Sequence, residues 1–273
     1  MLNSALMKRM TIIGGGNIGL SLAYGLIKAG YYQPDDLTVT RRNVDALEPE
    51  RSAGIRVSTD NTIAIQEADF VVLAVLPQHV KAVLEEIRTT LTTQQIVISM
   101  VSGLSCQEIG NILGEDCVTV RAMPNTAIAV GQSMTCIATD HAPESVVKQV
   151  QNIFVQVGAV SVIHEDLMTS ATALCACGIA FFLRSIRAAS QGGVEIGFHA
   201  HEALKMAIQT ARGAAELLWL AGNHPESEID KVTSPNGCTI AGLNEMEHHG
   251  FSSAFIKGIK QSAKQAGGLY NGG

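Results

Sequence analysis

Charge and aromatic side chains are both scarce in this chain: 16% of its 273 residues are Asp, Glu, Lys or Arg, 4% are Phe, Trp or Tyr, and a single tryptophan is present. Basic residues are not in excess. A net charge of −6 supplies no positive field for nucleic acid or an anionic lipid surface, so neither is expected as a partner. The six cysteines (Cys106, Cys117, Cys136, Cys175, Cys177 and Cys238) include no C-x-x-C spacing, and the first residues lack the apolar core and cleavage site of a secretory signal. Free thiols in a reducing cytoplasm are therefore expected. Cys175 and Cys177 would point in different directions on a helix, which favours buried small residues over a redox or metal pair. The apolar run 171–183 is about half the length a membrane span needs and reads as a buried helix. A Ser-His-Asp or Cys-His nucleophile signature is also missing. His199, His201, His248 and His249 are spaced so that helical side chains would not converge, and no metal is expected.

What the chain has is apolar content, 47%, enough for a well-filled core in one large or two modest domains. Residues 1–9 show no pattern, and Met7 or Met10 reads as the structural start. The stretch from Met10 to Gly30 organises the rest. Thr11, Ile12 and Ile13 are β-branched and run into Gly14, Gly15, Gly16 and Gly19, after which Ile18, Leu22 and Leu26 recur along one helical face. Gly14 allows a tight turn, Gly16 leaves no side chain between the backbone and a pyrophosphate, and Gly19 lets the helix lie close on the sheet. The first-turn amides of Asn17, Ile18 and Gly19 then face the phosphates, and Gly30 suits a left-handed cap.

A second strand, 37–40, runs into Arg41, Arg42 and Asn43 with no carboxylate at its end. That pattern favours a ribose 2′-phosphate, hence NADPH, with NADH as the other nicotinamide candidate. The alternative is two arginines that merely solvate a loop. Further apolar runs at 69–75, 96–100, 118–121, 134–139 and 159–163 alternate with helical segments such as 80–91 and 144–157. Uninterrupted strands of this kind predict a doubly wound parallel sheet buried on both faces. Ligands lie beyond the carboxyl ends of such strands, so residues 76–78, 101–103 and 123–126 should line one cleft. The domain is expected to end near His164, giving a dinucleotide-binding domain over 1–164 and a helical one over 165–273.

In the second part, helical patterns cover 167–190, 199–220, 239–248 and 252–265. The first is apolar nearly all round, so it needs partners on more than one face. A second copy related by two-fold symmetry hides that surface best, and an obligate homo-oligomer is expected, a dimer or larger. Between these helices, Ser234, Pro235, Asn236 and Gly237 break one helix and Thr239 sits where the next begins. Free amides and hydroxyls gathered there suit a small anion; the same turn also reads as an ordinary helix connection.

Together the motifs resemble the pyrroline-5-carboxylate reductase family over nearly the whole chain. They are Gly-Gly-Gly-Asn at 14–17, Asn61 ahead of Asp69, Leu-Ala-Val-Leu-Pro-Gln at 73–78, Ile-Ser-Met-Val-Ser-Gly at 98–103, Arg-Ala-Met-Pro-Asn-Thr at 121–126, Glu-Asp-Leu at 165–167 and Asp-Lys-Val-Thr-Ser-Pro-Asn-Gly-Cys-Thr at 230–239. The last is the most specific. The resemblance implies an α/β fold, a Rossmann-type doubly wound parallel sheet followed by an all-helical dimerisation domain, and NAD(P)H-dependent reduction of 1-pyrroline-5-carboxylate to L-proline. It implies cofactor contacts from Asn61, from Ala74, Val75, Leu76 and Pro77, and from Val101, Ser102 and Asn125. It places the substrate's carboxylate and ring nitrogen against Val232, Thr233, Ser234, Asn236, Gly237, Cys238 and Thr239, with Glu165 nearby; in a two-fold dimer that loop can come from the neighbouring chain. This chain departs from the family's usual lysine at Leu76, its glycine at Asn236, its proline at Ala127 and its Gly-Ser-Gly-Pro-Ala at 176–180. These departures bear on substrate and efficiency rather than fold.

Hydride transfer to an imine needs no enzyme nucleophile, because the cofactor supplies the electrons and the protein supplies position and charge. An iminium near neutral pH can bring its own proton; Thr239 is the candidate hydroxyl to hydrogen-bond the ring nitrogen, with Ser234 beside it, and amides at 237–239 would hold the carboxylate. From the residues alone, Glu165 reads as a carboxylate at the N-terminus of the helix that follows it. Two other functions remain open: a related NADP-dependent reductase of another cyclic imine, and a non-catalytic dinucleotide-binding paralogue.

Overall fold

Within the first strand, neighbouring side chains enter opposite apolar layers. Ile12 packs with Leu22, Leu26, Val39 and Val72 on one side of the sheet, while Ile13 packs with Val71, Leu73, Val80 and Leu84 on the other. The computed structural model describes residues 8–268. Met7 as a starting point lies outside them; Met10 opens β1. The elements run β1 (Met10–Ile13), α1 (Asn17–Lys28), β2 (Leu37–Thr40), α2 (Glu48–Ser52), β3 (Arg56–Ser58), α3 (Asn61–Ile65), β4 (Phe70–Leu73), α4 (Pro77–Ile87), β5 (Ile96–Ser99), α5 (Cys106–Leu113), β6 (Val118–Met123), β7 (Ser133–Ala138), α6 (Glu144–Phe154) and β8 (Gly158–Val162).

The strands form one sheet in the order β3-β2-β1-β4-β5-β6-β7-β8. Strand order reverses between β1 and β4, where Ile13 stands beside both Thr40 and Leu73. This is the switch point at which a doubly wound sheet opens a crevice.

The doubly wound sheet is parallel as expected except at one pair. β6 and β7 pair antiparallel because only a short 3-10 turn, Thr126–Val130, closed by left-handed Gly131 (φ 70°), joins them. A parallel return needs about a dozen residues. β8 is half-exposed rather than covered on both faces. β3 escaped the sequence pattern because it is a short edge strand with no apolar run.

Two compact units result, one running to Cys177 and rejoined from Ser262, the other spanning Gly178–Gln261. The sheet unit therefore extends past the expected end near His164. Met168 and Ala171 of α7 (Met168–Ala171) are buried against Met123, Cys136 and Ala138, which ties the segment to the sheet. A π-helical turn, Thr172–Cys177, follows.

The second unit is built from α8 (Gly178–Glu195), α9 (Ala200–Ala221), α10 (Pro225–Lys231), α11 (Cys238–His248) and the start of α12 (Phe251–Ala266). α10 was not legible as an apolar pattern; Pro225 at its first position and the His224 ring accepting the Glu226 amide start it. Gly193 lets α8 and α9 approach, since a Cβ there would lie 2.9 Å from Ala203 Cβ. Yet among the described residues of this unit only Gly178 and Ala203 are buried. Leu204, Ile208 and Trp219 lie exposed, and Leu220 keeps 81% of its surface. Leu183, Ile186, Val194, Leu204 and Ile208 line an apolar groove of about 680 Å³. The helical stretch Glu165–Glu195 is longer than the run 171–183 and, by length and composition alone, long and apolar enough to cross a membrane.

Helices with so little internal core cannot repay their ordering entropy alone. Light scattering should therefore return a mass of two or more chains, and the double substitution Leu204→Arg, Ile208→Arg should shift the protein to monomer with a lowered melting temperature.

Candidate active site

The end of β1 is built from backbone contacts. The Gly14 and Gly15 amides donate to the Thr40 carbonyl at 3.2 and 2.8 Å, and the Ala74 amide donates to the Ile13 carbonyl at 2.8 Å. Gly14 has φ +116°, and a Cβ there would lie 2.5 Å from the Ala74 carbonyl oxygen. At Gly19 a Cβ would come within 2.2 Å of the Gly14 carbonyl oxygen. Gly16 differs: a Cβ would meet nothing within 4 Å, so its bareness faces open space. Gly16 also caps α1 without a side-chain hydrogen bond, and no acidic residue occupies the first turn. The amides at Asn17, Ile18 and Gly19 are thus free for an anion at the positive end of α1.

A cleft of about 390 Å³ opens from this elbow. Of the expected cofactor residues, Gly14, Gly16, Arg41, Arg42, Asn61, Ala74, Val75 and Leu76 line it. Asn61 is held on both sides, accepting from the Thr40 hydroxyl at 2.6 Å and donating to Glu86 at 2.9 Å. Arg41 donates to the Gly15 carbonyl at 3.2 Å. Arg42 meets the His79 ring at 3.3 Å. The side chains of Val101, Ser102 and Asn125 do not join this group. Val101 is buried in the core, the Ser102 hydroxyl faces the Met123 sulfur, and Asn125 bonds the Ala127 amide and the Cys175 carbonyl. Sequence reasoning missed Thr59, His79 and Glu86. His79, Ala82, Val83 and Glu86 recur at helical spacing on one face of α4, a signal that reads equally as a solvated stripe.

The turn between α10 and α11 gathers the expected substrate residues 232–239. The Thr233 hydroxyl bonds the Ile229 carbonyl at 2.8 Å, and the Gly237 amide closes the turn on the Ser234 carbonyl at 2.9 Å. Asn236 is the one non-glycine residue with positive φ among those described, at 56°. Gly237 caps α11 with no side-chain bond, which leaves the Cys238 and Thr239 amides open. Thr239, expected at the start of that helix, is its second residue.

Glu165 belongs to the sheet unit. Its carboxylate accepts from Arg121 at 2.8 Å and from the Cys106 amide, at the start of α5, at 3.2 Å. It therefore serves the N-terminus of α5 rather than the helix that follows it. Both charges are sequestered, with side-chain exposures of 6% for Arg121 and 13% for Glu165. Arg121 Nε and Glu165 Oε2 have no protein partner. Nearby, the thiols of Cys136 and Cys175 lie 3.9 Å apart, so Cys175 is a half-buried contact to the sheet rather than a simple core residue. The hydrogen bond from Cys136 holds the Cys175 thiol down at about 7, and the same bond together with burial pushes Cys136 up.

Residues 165–269 match the pyrroline-5-carboxylate reductase dimerisation family, and residues 9–103 match the family described as NADP oxidoreductase, coenzyme F420-dependent. Pyrroline-5-carboxylate reductase 2 of Dictyostelium discoideum is 43% identical over 95% of this chain and 92% of its own length. The chain belongs to the pyrroline-5-carboxylate reductase family. Pyrroline-5-carboxylate reductase 1 of the same organism is 46% identical over 96% of this chain, which spans 50% of that longer protein. The Coxiella burnetii pyrroline-5-carboxylate reductase structure superposes with a TM-score of 0.87 at 30% identity, covering 96% of this chain and 98% of that one. The Plasmodium falciparum pyrroline carboxylate reductase, solved with NADP bound, shares the fold at a TM-score of 0.87 and 23% identity, with 96% and 98% covered. Family membership makes the chain an NAD(P)H-dependent oxidoreductase with a helical dimerisation domain, and hence a homo-oligomer.

Among the family's departures, Asn236 has a structural reason: asparagine is one of the few residues that tolerates the left-handed backbone a glycine would otherwise occupy. Leu76 is 60% exposed in the cleft, an apolar side chain where the family usually places a cation. The 176–180 segment lies where the π-turn passes into α8.

Replacing Glu165 by Gln leaves the buried Arg121 charge uncompensated and should cost on the order of 3 kcal/mol, read from the urea midpoint. Alkylation of Cys175 should rise with pH through about 7, and Cys136→Ala should move that midpoint up toward the ordinary thiol value.

Proposed function

We propose that this protein reduces 1-pyrroline-5-carboxylate to L-proline, preferring NADPH over NADH, as a cytoplasmic homodimer. The observation that carries the reading is the turn 232–239, whose left-handed Asn236 and side-chain-free cap at Gly237 leave the first amides of α11 open to a carboxylate. Arg41 and Arg42 at the end of β2, where no carboxylate stands, support the preference for a 2′-phosphate. The net charge of −6 is in keeping with a small-molecule enzyme rather than a nucleic-acid or membrane binder.

In this reading the nicotinamide cofactor, when bound, supplies the hydride. The residues of the chain do the rest. Gly14, Gly16, Asn17, Ile18 and Gly19 present a bare backbone and free amides to the pyrophosphate. Asn61, fixed between Thr40 and Glu86, offers its amide at a set angle to a ribose, and Ala74, Val75 and Leu76 wall the cleft, with Pro77 opening α4 after them. Val101, Ser102 and Asn125 would act through their backbone and their packing. Amides at Cys238 and Thr239 hold the substrate carboxylate, the Gly237 amide being engaged by the Ser234 carbonyl; the Thr239 hydroxyl accepts a hydrogen bond from the protonated ring nitrogen, and Ser234 sits beside it. Val232, Thr233 and Asn236 shape the turn; Glu165, its charge balanced by Arg121, is retained as a substrate contact. A protonated imine brings its own proton, so no side chain need act as acid.

A second reading, reduction of a larger cyclic imino acid, is favoured by the altered segment 176–180 and by Leu76. Rates on five- and six-membered cyclic imino acids separate the two. The deciding assay is the fall in NADPH absorbance with 1-pyrroline-5-carboxylate, repeated with NADH. Thr239→Ala should lower kcat/KM for the imine by about a hundredfold or more, the loss typical of one positioned hydrogen-bonding group, while NADPH binding stays within about twofold. Undiminished turnover in the variant removes Thr239 from the chemistry.

A further inference from the structure

The contact between Arg42 and His79 has no part in the reading above. The two residues come from opposite walls of the cleft, Arg42 from the chain just after β2 and His79 from the first turn of α4, and their side chains meet at 3.3 Å between Nη2 and Nε2. A guanidinium has donors only, so in this contact the imidazole Nε2 accepts. A neutral imidazole is a poor anion ligand. It is, however, the one side chain in this wall whose charge can change near neutral pH.

We infer that His79 is a specificity-determining residue for the phosphorylated cofactor: it leaves Arg42, gains a proton and closes with Arg41 and Arg42 on the ribose 2′-phosphate. The inference rests on the reading of Arg41 and Arg42 as the 2′-phosphate site and adds a third, proton-dependent contact to it. Three observations on this chain support it. His79 lines the same cleft as the arginines. It sits at the third position of α4, one turn along from Leu76, so it presents a titratable cation close to where the family's usual lysine is missing. And among the described residues Arg42 pairs with no carboxylate, so a dianion between Arg42 and His79 would convert an acceptor contact into two charge-assisted donor contacts.

The other charges near His79 set the sign. Arg41 and Arg42 line the same cleft as its ring. Glu86, on the same helix, is engaged by the Asn61 amide. On the neighbouring α3 and α5, the Asp60 carboxylate is held by the Thr62 hydroxyl and the Ile63 amide, and the Glu108 carboxylate by Ser105. The 2′-phosphate itself titrates near pH 6, so above about pH 7 it is a constant dianion and any further pH dependence belongs to the protein. Binding of NADPH then takes up a proton, and affinity falls as that proton becomes harder to supply.

The test is cofactor binding to the intact protein, followed by fluorescence and by calorimetry in buffers of different ionisation enthalpy. In the wild type the Kd for NADPH should rise about tenfold between about pH 7 and about pH 8.5, with net proton uptake, while the Kd for NADH stays flat. His79→Gln keeps a neutral acceptor for Arg42; it should abolish both the slope and the proton uptake for NADPH and spare NADH, which also reports that the fold is intact. A slope that survives in His79→Gln, an equal slope for NADH, or an equal loss of both cofactors, as ring stacking on adenine would produce, overturns the inference. The Arg42→Ala variant separates the two levels. If it leaves the NADPH to NADH ratio unchanged, the 2′-phosphate reading falls and this inference with it; if it collapses the ratio while His79→Gln changes nothing, only the inference falls.

Discussion

Everything in the sheet unit depends on how closely two backbones approach at the end of β1. The Ala74 amide bonds Ile13, the Gly14 and Gly15 amides bond Thr40, and the Ala74 carbonyl stands where any Cβ on Gly14 would have to be. Those contacts pull the ends of β1, β2 and β4 together at the point where strand order reverses. Gly19 then permits α1 to settle directly on the turn, against the Gly14 carbonyl. The outcome is a helix N-terminus aimed into a crevice, with its amides free. Close packing and anion binding are here one arrangement, because the atoms omitted for steric reasons are the ones that would block a phosphate.

The helical unit follows a different economy. Its helices carry large apolar side chains, yet almost none of its residues is buried within one chain. The long helix that includes α8 has an apolar surface extensive enough to satisfy a membrane-span criterion by composition. The dimerisation family to which residues 165–269 belong explains that surface: it is core that a second copy completes. Stability and assembly are therefore coupled in this part of the molecule.

Buried polar groups mark where the sheet unit is most constrained. Arg121 comes from a strand next to the antiparallel turn, and Glu165 from the segment that follows the last strand. Their pairing, together with the Cys106 amide, fixes the exit of the chain from the sheet to the start of α5. The thiol contact between Cys136 and Cys175 makes a second link between the sheet and the π-turn. Together these contacts carry the sheet unit beyond His164 as far as Cys177.

The glycine elbow, the strand runs, the arginines after β2 and the turn before α11 were legible in the sequence, because each rests on local physics: a φ that only glycine takes easily, an apolar run, a missing carboxylate, a helix stop. Tertiary structure alone decided the rest. The antiparallel β6–β7 pair came from the length of a loop, not from strand composition. Glu165 found a counter-ion far away in sequence and served a helix other than its own. His79 and Glu86 entered the cleft because α4 packs beside β4 with that face turned outward, and an amphipathic stripe does not announce which of its polar residues will border a ligand. Local propensity determines which elements form, whereas the partners of a charged side chain depend on contacts that exist only once the sheet has closed.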